Sequence, residues 1–288
     1  MLRSALFVPA LVVSTLLATP LLAQQRLLQQ DDLPGRKLAA TGLQAAIDAE
    51  ADVATTVALA AIAGVGLPAD SSARVALDRA LRTANLAADG TRAGKRLRSE
   101  LGDLVTTLTF EPLREADLPA GFPTFTAVDE LELRHYPACR MVRTEMKAGG
   151  PMGAFWPLFQ HIKENDIAMT APVQVDWTES GERQKPARMA FLYGDPSKQP
   201  EQVGKDVTVE NLPPTTVLSL GAIGEERNDT VAAMRTRLLG WLRDNPQWVA
   251  AGPLRTMGYN SPMVGRDRRY FEVQIPVHRT DDHAAVVR

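Results

Sequence analysis

Residues 164–177 read ENDIAMTAPVQVDW, and this stretch decides the fold. It begins with a cluster of polar residues of the kind that ends a helix, and it then becomes apolar and almost uncharged. We interpret it as the exit from a helix into a strand. Pro172 stands inside it, which is tolerable only at an edge or bulge, because proline donates no hydrogen bond to a sheet. Met169 and Thr170 are therefore expected to shape a turn that defines the fold.

The order strand, helix, strand, strand surrounds this stretch and recurs once between about 130 and 280. IAMTAP in the first half and MGYNSP in the second each end an extended run in proline, at places that we take to correspond. Such a duplication predicts an α+β fold, in which two β-α-β-β halves form a distorted antiparallel barrel or sheet with two helices packed on it. The expected strands are 131–142, one entered through 164–177, 187–193, 207–209, 216–220, 255–262 and 270–277. The first expected helix contains Phe155, and the second is capped by Asp229 and Thr230.

The chain divides into five predicted segments. Residues 1–23 carry one cation, an apolar run and a small-residue ending, as a secretory signal does, and an uncleaved anchor is the alternative. We therefore expect an exported protein, periplasmic or secreted, with no membrane span after cleavage. The other predicted segments are a linker at 24–36, a module of two or three helices at 37–110, the main domain at 111–278 and a flexible tail at 279–288.

The composition excludes some partners and leaves others open. The formal net charge is −2, which does not favour nucleic acid. Cys139 is the single cysteine, so no internal disulfide is expected and the core must hold the fold. Which protein, if any, contacts the helical module at 37–110 is left open.

Catalytic motifs are absent from the sequence: we find no GxSxG, HExxH, phosphate loop or CxxC, and we predict that the chain is not an enzyme. Two histidines are candidates for a ligand role. His135 shares the apolar face of its strand with Leu131 and Leu133 if the register holds, and Pro137 could reverse that register. His161 is predicted on the flank of a helix whose apolar stripe includes Phe155, Phe159 and Ile162.

Four ordered runs resemble the SOUL family of haem-binding proteins across about 125–278. They are LELRHYPACRMVRTE at the first strand, NDIAMTAPV, ARMAFLYGDPSKQP, and GYNSPMVGRDRRYFEVQIPV at the end. The resemblance implies a distorted antiparallel barrel with two flanking helices. It also implies non-covalent binding of haem or another tetrapyrrole in an apolar groove, without an established enzymatic activity.

The resemblance makes a small-molecule tetrapyrrole the expected partner. Expected groove residues are Phe155, Phe159, Ile162 and Met169, with His135 or His161 as the haem axial ligand. The alternative is an effector-type module for lipophilic or cationic small molecules, in which Glu272 faces the groove. A small-molecule hydrolase is a further alternative.

Overall fold

The computed structural model describes residues 26–146, 150–180 and 183–281 of the 288-residue chain. Its amino-terminal part contains four helices within these residues, where the sequence predicted two or three. The first helix begins at Leu33, inside the segment predicted as a linker, and Leu27 forms a bridge to Leu131. Asp52, Ser71 and Asp89 each cap the helix that follows with a side-chain oxygen. The helices are α1 (Leu33–Asp48), α2 (Val53–Ala63), α3 (Ser72–Asn85) and α4 (Gly90–Thr109).

Nine strands form one curled antiparallel sheet within the described residues, and two helices accompany it. This confirms the predicted α+β fold and the antiparallel sheet. Each half contains two strands, a helix and two further strands, and the second half adds the short strand β7. The elements are β1 (Leu131–Tyr136), β2 (Cys139–Glu145), α5 (Gly150–Glu164), β3 (Val173–Ser180), β4 (Arg183–Leu192), β5 (Thr208–Leu212), β6 (Thr215–Ile223), α6 (Asn228–Asp244), β7 (Trp248–Ala250), β8 (Arg255–Gly258) and β9 (Tyr270–Arg279).

The strand order β1-β6-β9-β8-β3-β4-β2-β5 exchanges one strand between the halves, and β7 pairs with β9 beside this path. β1 pairs with β6 of the second half, and β5 pairs with β2 of the first half. The prediction of one strand over 131–142 was wrong. Pro137 lies between β1 and β2 and cannot donate to a ladder, so the chain leaves one sheet partner there and joins another.

The stretch at 164–177 leaves α5 and enters β3, as predicted. Pro172 precedes the first residue of β3, so no ladder hydrogen bond is lost, and Thr170 donates from its hydroxyl to the carbonyl of Leu192 at 2.6 Å. The proposed correspondence with MGYNSP was wrong, because that segment begins inside β8 and runs past its end, whereas IAMTAP follows a helix. The equivalent link in the second half is 245–254, between α6 and β8.

The sheet has two unlike faces because alternate residues of a strand point to opposite sides. Along β9, Phe271, Val273 and Ile275 join the apolar core that also contains Val231 and Leu238 of α6. Glu272 and Gln274 point to the other side. We call the side turned away from α5 and α6 the rear face.

A buried ion pair joins the helical module to the sheet domain. Arg36 of α1 pairs with Glu130, and the two side chains are 4% and 1% exposed. Glu130 also accepts hydrogen bonds from the backbone N–H groups of Ser72 at 3.3 Å and Ala73 at 3.4 Å, at the start of α3. Burial raises the pKa of Glu130, while the Arg36 cation acts against that rise.

No helix in the described part of the chain is both long enough and apolar enough to cross a membrane. The predicted signal at 1–23 and most of the predicted tail lie outside the described residues.

Candidate functional site

One face of α5 presents an unusual amount of apolar surface. Met152, Phe155, Trp156 and Phe159 repeat at three- and four-residue steps, so they share one side of the helix. We call these four residues the aromatic stripe. Met152, Trp156 and Phe159 are 55%, 57% and 36% exposed. Contiguous exposed apolar surface of this kind marks ligand or partner sites more often than scattered single residues do.

Ring contacts fix the shape of the stripe. Phe155 stacks on Phe159 with centroids 5.7 Å apart and an angle of 14° between the ring planes. Phe155 also meets the ring of Phe191 in β4 edge to face at 5.2 Å, which anchors the stripe to the sheet. Trp156 contacts both phenylalanines edge to face, at 5.7 and 5.9 Å. The stripe therefore holds three rings in place before any ligand arrives.

The buried side of α5 differs from the predicted one. Ala154, Leu158, His161 and Ile162 face the core, whereas Phe155 is half-buried at its edge and Phe159 lies towards solvent. The helix is thus rotated relative to the stripe inferred from sequence. It also begins at Gly150, so Pro157 lies in its interior and not in its first turn, and the carbonyl of Gly153 loses its usual donor.

His161 is buried and engaged, not on the flank of the helix. It is 3% exposed, and its Nε2 lies 2.7 Å from the hydroxyl of Tyr193, with which it shares a hydrogen bond. Burial lowers the pKa of His161, with Glu164 acting against the change. Burial also raises the pKa of Tyr193 to about 12, so the phenol stays protonated. This pair belongs to the interior beneath the stripe.

His135 lies far from the stripe. It occupies the exposed end of β1, and its Nδ1 is 3.0 Å from the hydroxyl oxygen of Thr216 in β6. α5 packs against β2 and β4, and four strands stand between β1 and β4 in the sheet. The structure therefore places the two histidines in separate environments.

The remaining predicted residues also separate. Ile162 is 4% exposed beneath α5, and Met169 is half-buried against the core after the helix ends. Of the six predicted groove residues, only Phe155 and Phe159 meet on one accessible surface. Trp156 and Met152 complete that surface and were missed, although their four-residue spacing was visible in the sequence.

Glu272 does not reach an open groove. It is fully buried on the rear face, where residues near Thr126 cover this end of the sheet. Its carboxylate accepts hydrogen bonds from the backbone N–H of Thr126 at 2.6 Å and from the amide of Gln274 at 2.6 Å. The hydroxyls of Tyr136, Ser219 and Tyr270 also donate to it. These neighbours already satisfy the carboxylate that the effector-type alternative would assign to a cationic ligand.

The reactive groups of the described residues do not form a metal or thiol site. No group of three potential metal-ligating side chains occurs among them. Cys139 is half-buried, and burial raises the pKa of its thiol, which favours the unreactive protonated form. What the stripe can do chemically is bind a flat apolar molecule. Lys163, which is exposed one turn beyond Phe159, provides a cation at one end.

Solved structures match this chain at low similarity. The C-terminal domain of EcmrR is 16% identical, with a TM-score of 0.41 over 52% of this chain and 98% of its own. A hydrolase from Listeria innocua is 9% identical, with a TM-score of 0.39 over 54% of this chain and 94% of its own. SAV2435 bound to tetraphenylphosphonium is 10% identical, with a TM-score of 0.32 over 54% of this chain and 98% of its own.

No curated protein matches the sequence. The model of the SOUL heme-binding protein family, however, matches residues 121–276, which is more than half of the chain and contains α5 and every strand but the end of β9. The four sequence runs, the antiparallel sheet and this match agree, and the chain belongs to the SOUL heme-binding protein family.

Proposed function

We propose that this protein binds haem or another tetrapyrrole non-covalently on the aromatic stripe of α5, without catalysing a reaction. The observation that carries the proposal is the stripe itself, in which two aromatic rings and a methionine are exposed and the ring of Phe155 is stacked beside them, on a member of a heme-binding family. A planar ring system gains most of its affinity from apolar contact, and aromatic side chains supply that contact with little loss of side-chain entropy.

The stripe supplies both an apolar platform and a polar end. The exposed faces of Trp156 and Phe159 would lie against the tetrapyrrole, while Met152 adapts to its edge because a thioether side chain is flexible. Lys163 would pair with a propionate. The stripe contains no nucleophile and no acid–base pair, which is why we propose binding and not turnover.

We further propose that neither histidine ligates the iron at this site. The Nε2 of His161 is already hydrogen-bonded to Tyr193, and the side chain is buried under the helix. Four strands separate β1, which carries His135, from β4, against which α5 packs. Ligation by His161 would require the loss of its hydrogen bond to Tyr193, and His135 lies on a strand remote from the stripe.

Hemin titration tests the proposal. We expect a saturable change of the Soret absorbance in the wild-type protein, with the same band position in His135→Ala and His161→Ala. A titration without saturation would refute tetrapyrrole binding. A band shift confined to one histidine variant would instead identify that histidine as an axial ligand and contradict the stacking arrangement.

Export is part of the proposal and rests on residues 1–23, whose composition is that of a secretory signal. Expression in a bacterial host followed by mass spectrometry of the periplasmic and secreted fractions tests it. We expect a chain that starts near residue 24. A chain that keeps Met1 and remains in the membrane fraction would support the uncleaved anchor.

A further inference from the structure

A second cavity lies on the rear face, away from the aromatic stripe. It is open to solvent and has a volume of about 640 Å³. Its wall is partly apolar, with Trp248, Pro253 and Pro276, and partly basic, with Arg143, Arg188 and Arg255. Such a combination suits a molecule with an apolar body and a negative charge.

Arg255 is the exceptional residue of this cavity. It is 8% exposed, and its guanidinium forms no ion pair with any carboxylate of the described residues. Nε donates to the amide oxygen of Gln274 at 3.0 Å, and Nη1 makes a longer contact of 3.4 Å with the amide oxygen of Gln174. Within the described part of the chain, Nη2 donates no hydrogen bond. The guanidinium also lies over the ring of Tyr136, 5.6 Å from its centroid.

The two amides that hold Arg255 are themselves bonded to carboxylates, one of which, Asp176, also lines the cavity. The amide nitrogen of Gln274 donates to Glu272 at 2.6 Å, and that of Gln174 donates to Asp176 at 2.7 Å. The amides therefore orient the guanidinium, and the negative groups support it from a distance without occupying it. Burial lowers the pKa of Arg255, and Asp176 and Glu272 act against that change. An arginine nevertheless stays charged in proteins.

Asp176 is a neighbour of Arg255 but does not form an ion pair with it. It lies opposite Arg255 in the register of β3 and β8, yet its Oδ2 pairs with Nε of Arg188 at 3.3 Å. Arg143 is likewise paired, with Glu210 at 2.7 Å. Within the described part of the chain, Arg255 thus has no carboxylate in direct contact, and its charge lies at the cavity wall without an ion-pair partner.

We propose that this cavity binds an organic anion whose carboxylate meets the guanidinium of Arg255 and whose flat apolar body lies against Trp248 and the neighbouring prolines. A buried charge is costly unless it is paired, so a ligand carboxylate would supply the missing partner. The site is separate from the aromatic stripe and takes a negatively charged ligand, in contrast to the cationic ligand considered for Glu272.

Two probes of equal shape and opposite charge test this proposal on the wild-type protein. We would titrate 1-naphthoate and 1-naphthylmethylammonium by calorimetry. We expect naphthoate to bind at least tenfold more tightly. Equal affinities, a preference for the cation, or no binding of naphthoate would overturn the proposal, and none of these readings depends on whether a variant folds.

Variants then locate the anion. Arg255→Gln should weaken naphthoate binding about 10- to 100-fold, since a hydrogen bond to a charged group is worth roughly 1.5–3 kcal/mol. Arg74→Gln, which removes an arginine paired with Asp78 on α3, outside the cavity, is the control and should change the affinity less than threefold. Unchanged binding in folded Arg255→Gln would refute the assignment.

Competition with hemin distinguishes two sources of the bound carboxylate, a free organic acid and the propionates of a tetrapyrrole. Simultaneous binding of hemin and naphthoate would support a cavity for a free organic acid, separate from the stripe. Displacement of naphthoate by hemin in the wild type, with loss of hemin binding in Arg255→Gln, would show that tetrapyrrole propionates use Arg255. That result would support the anion site and overturn the placement of the tetrapyrrole on α5.

Discussion

The helices α5 and α6 hold equivalent places in the two halves of the sheet domain, yet their outer surfaces differ. α5 exposes Met152, Trp156 and Phe159. α6 exposes no large hydrophobic side chain; alanine and polar side chains such as Thr236 form its outer surface. Both helices bury similar apolar stripes in the same core. The shared fold therefore accounts for the buried sides, and the exposed aromatic residues require a separate reason.

The surroundings of the two helices differ as well. Arg237 of α6 donates to the hydroxyl of Ser72 at 3.0 Å and also pairs with Asp129, next to the buried Arg36–Glu130 pair. α5 forms no hydrogen bond or ion pair with α1–α4 among the described residues. The helical module thus attaches beside α6 and leaves the stripe on α5 uncovered.

Breaking the ion pair that attaches the helical module beside α6 should have the largest effect, a loss of stability. Arg36→Met leaves Glu130 buried without its cation, and breaking one partner of a buried pair costs about 3–5 kcal/mol. We expect the free energy of unfolding of the helical module to fall by that amount in urea denaturation followed by circular dichroism. Hemin affinity should stay unchanged where the sheet domain is folded, because the stripe lies elsewhere.

A matched exposed pair provides the control for this prediction. Arg74→Met removes a partly exposed ion pair with Asp78 at four-residue spacing on α3, together with one hydrogen bond to the carbonyl of Gly64, and should cost about 1 kcal/mol. The double variant Arg36→Met with Glu130→Gln should recover part of the loss. If Arg36→Met costs no more than Arg74→Met, the buried pair does not hold the module.

The exposed rings of α5 should show the next largest effect, on ligand affinity. Trp156→Ala with Phe159→Ala removes the accessible part of the stripe. Fully burying one large apolar side chain is worth roughly 1.5–3 kcal/mol, and a bound ring covers these two only in part. We therefore expect about 100-fold weaker hemin binding, which corresponds to about 2.7 kcal/mol.

The equivalent surface of α6 supplies the control for the stripe. Thr236→Ala alters an exposed side chain of α6 and should leave hemin affinity unchanged. Because Trp156 is more than half exposed, the α5 variant should remain folded, which its circular dichroism spectrum checks. Equal hemin affinity in both variants would show that the difference between the helices has no role in tetrapyrrole binding.

Local sequence patterns predicted where helices and strands lie better than which of their side chains are buried. Periodicity located the helix with Leu158 and the alternating strand at Val273, because burial on one face imposes these spacings. It placed Phe155, Leu158, Phe159 and Ile162 on one face of α5, whereas the core takes Leu158, His161 and Ile162 and leaves Phe159 exposed. The predicted signal and domain boundaries stay predictions.

The rear cavity could not have been predicted from one sequence. Gln174 and Gln274 are a hundred positions apart, and only the pairing of β3 and β9 with β8 brings both amides to Arg255. Nothing in the local sequence shows that this arginine is buried or that Asp176 pairs elsewhere. Contacts of this kind arise from sheet register, which depends on the whole domain.

The smallest predicted effect is the contribution of His161, in α5, to the pH dependence of the unfolding free energy. Burial lowers the pKa of His161 below its ordinary 6.5, so the unfolded chain takes up a proton before the folded chain does. The stabilisation is therefore present above about pH 6.5 and is lost as pH falls towards the folded pKa. The slope from one such group stays below about 1.4 kcal/mol per pH unit.

A difference measurement isolates this contribution. Burial raises the pKa values of Glu130 and Glu226, and their protonation favours the folded state as pH falls, which opposes the effect of His161. Both glutamates persist in His161→Gln, so the change in unfolding free energy between pH 7 and pH 5 should be more negative in the wild type than in this variant. His135→Gln, which changes an exposed imidazole, should follow the wild type. If His161→Gln also shows the same change as the wild type, protonation of the buried His161 does not contribute to the pH dependence of stability.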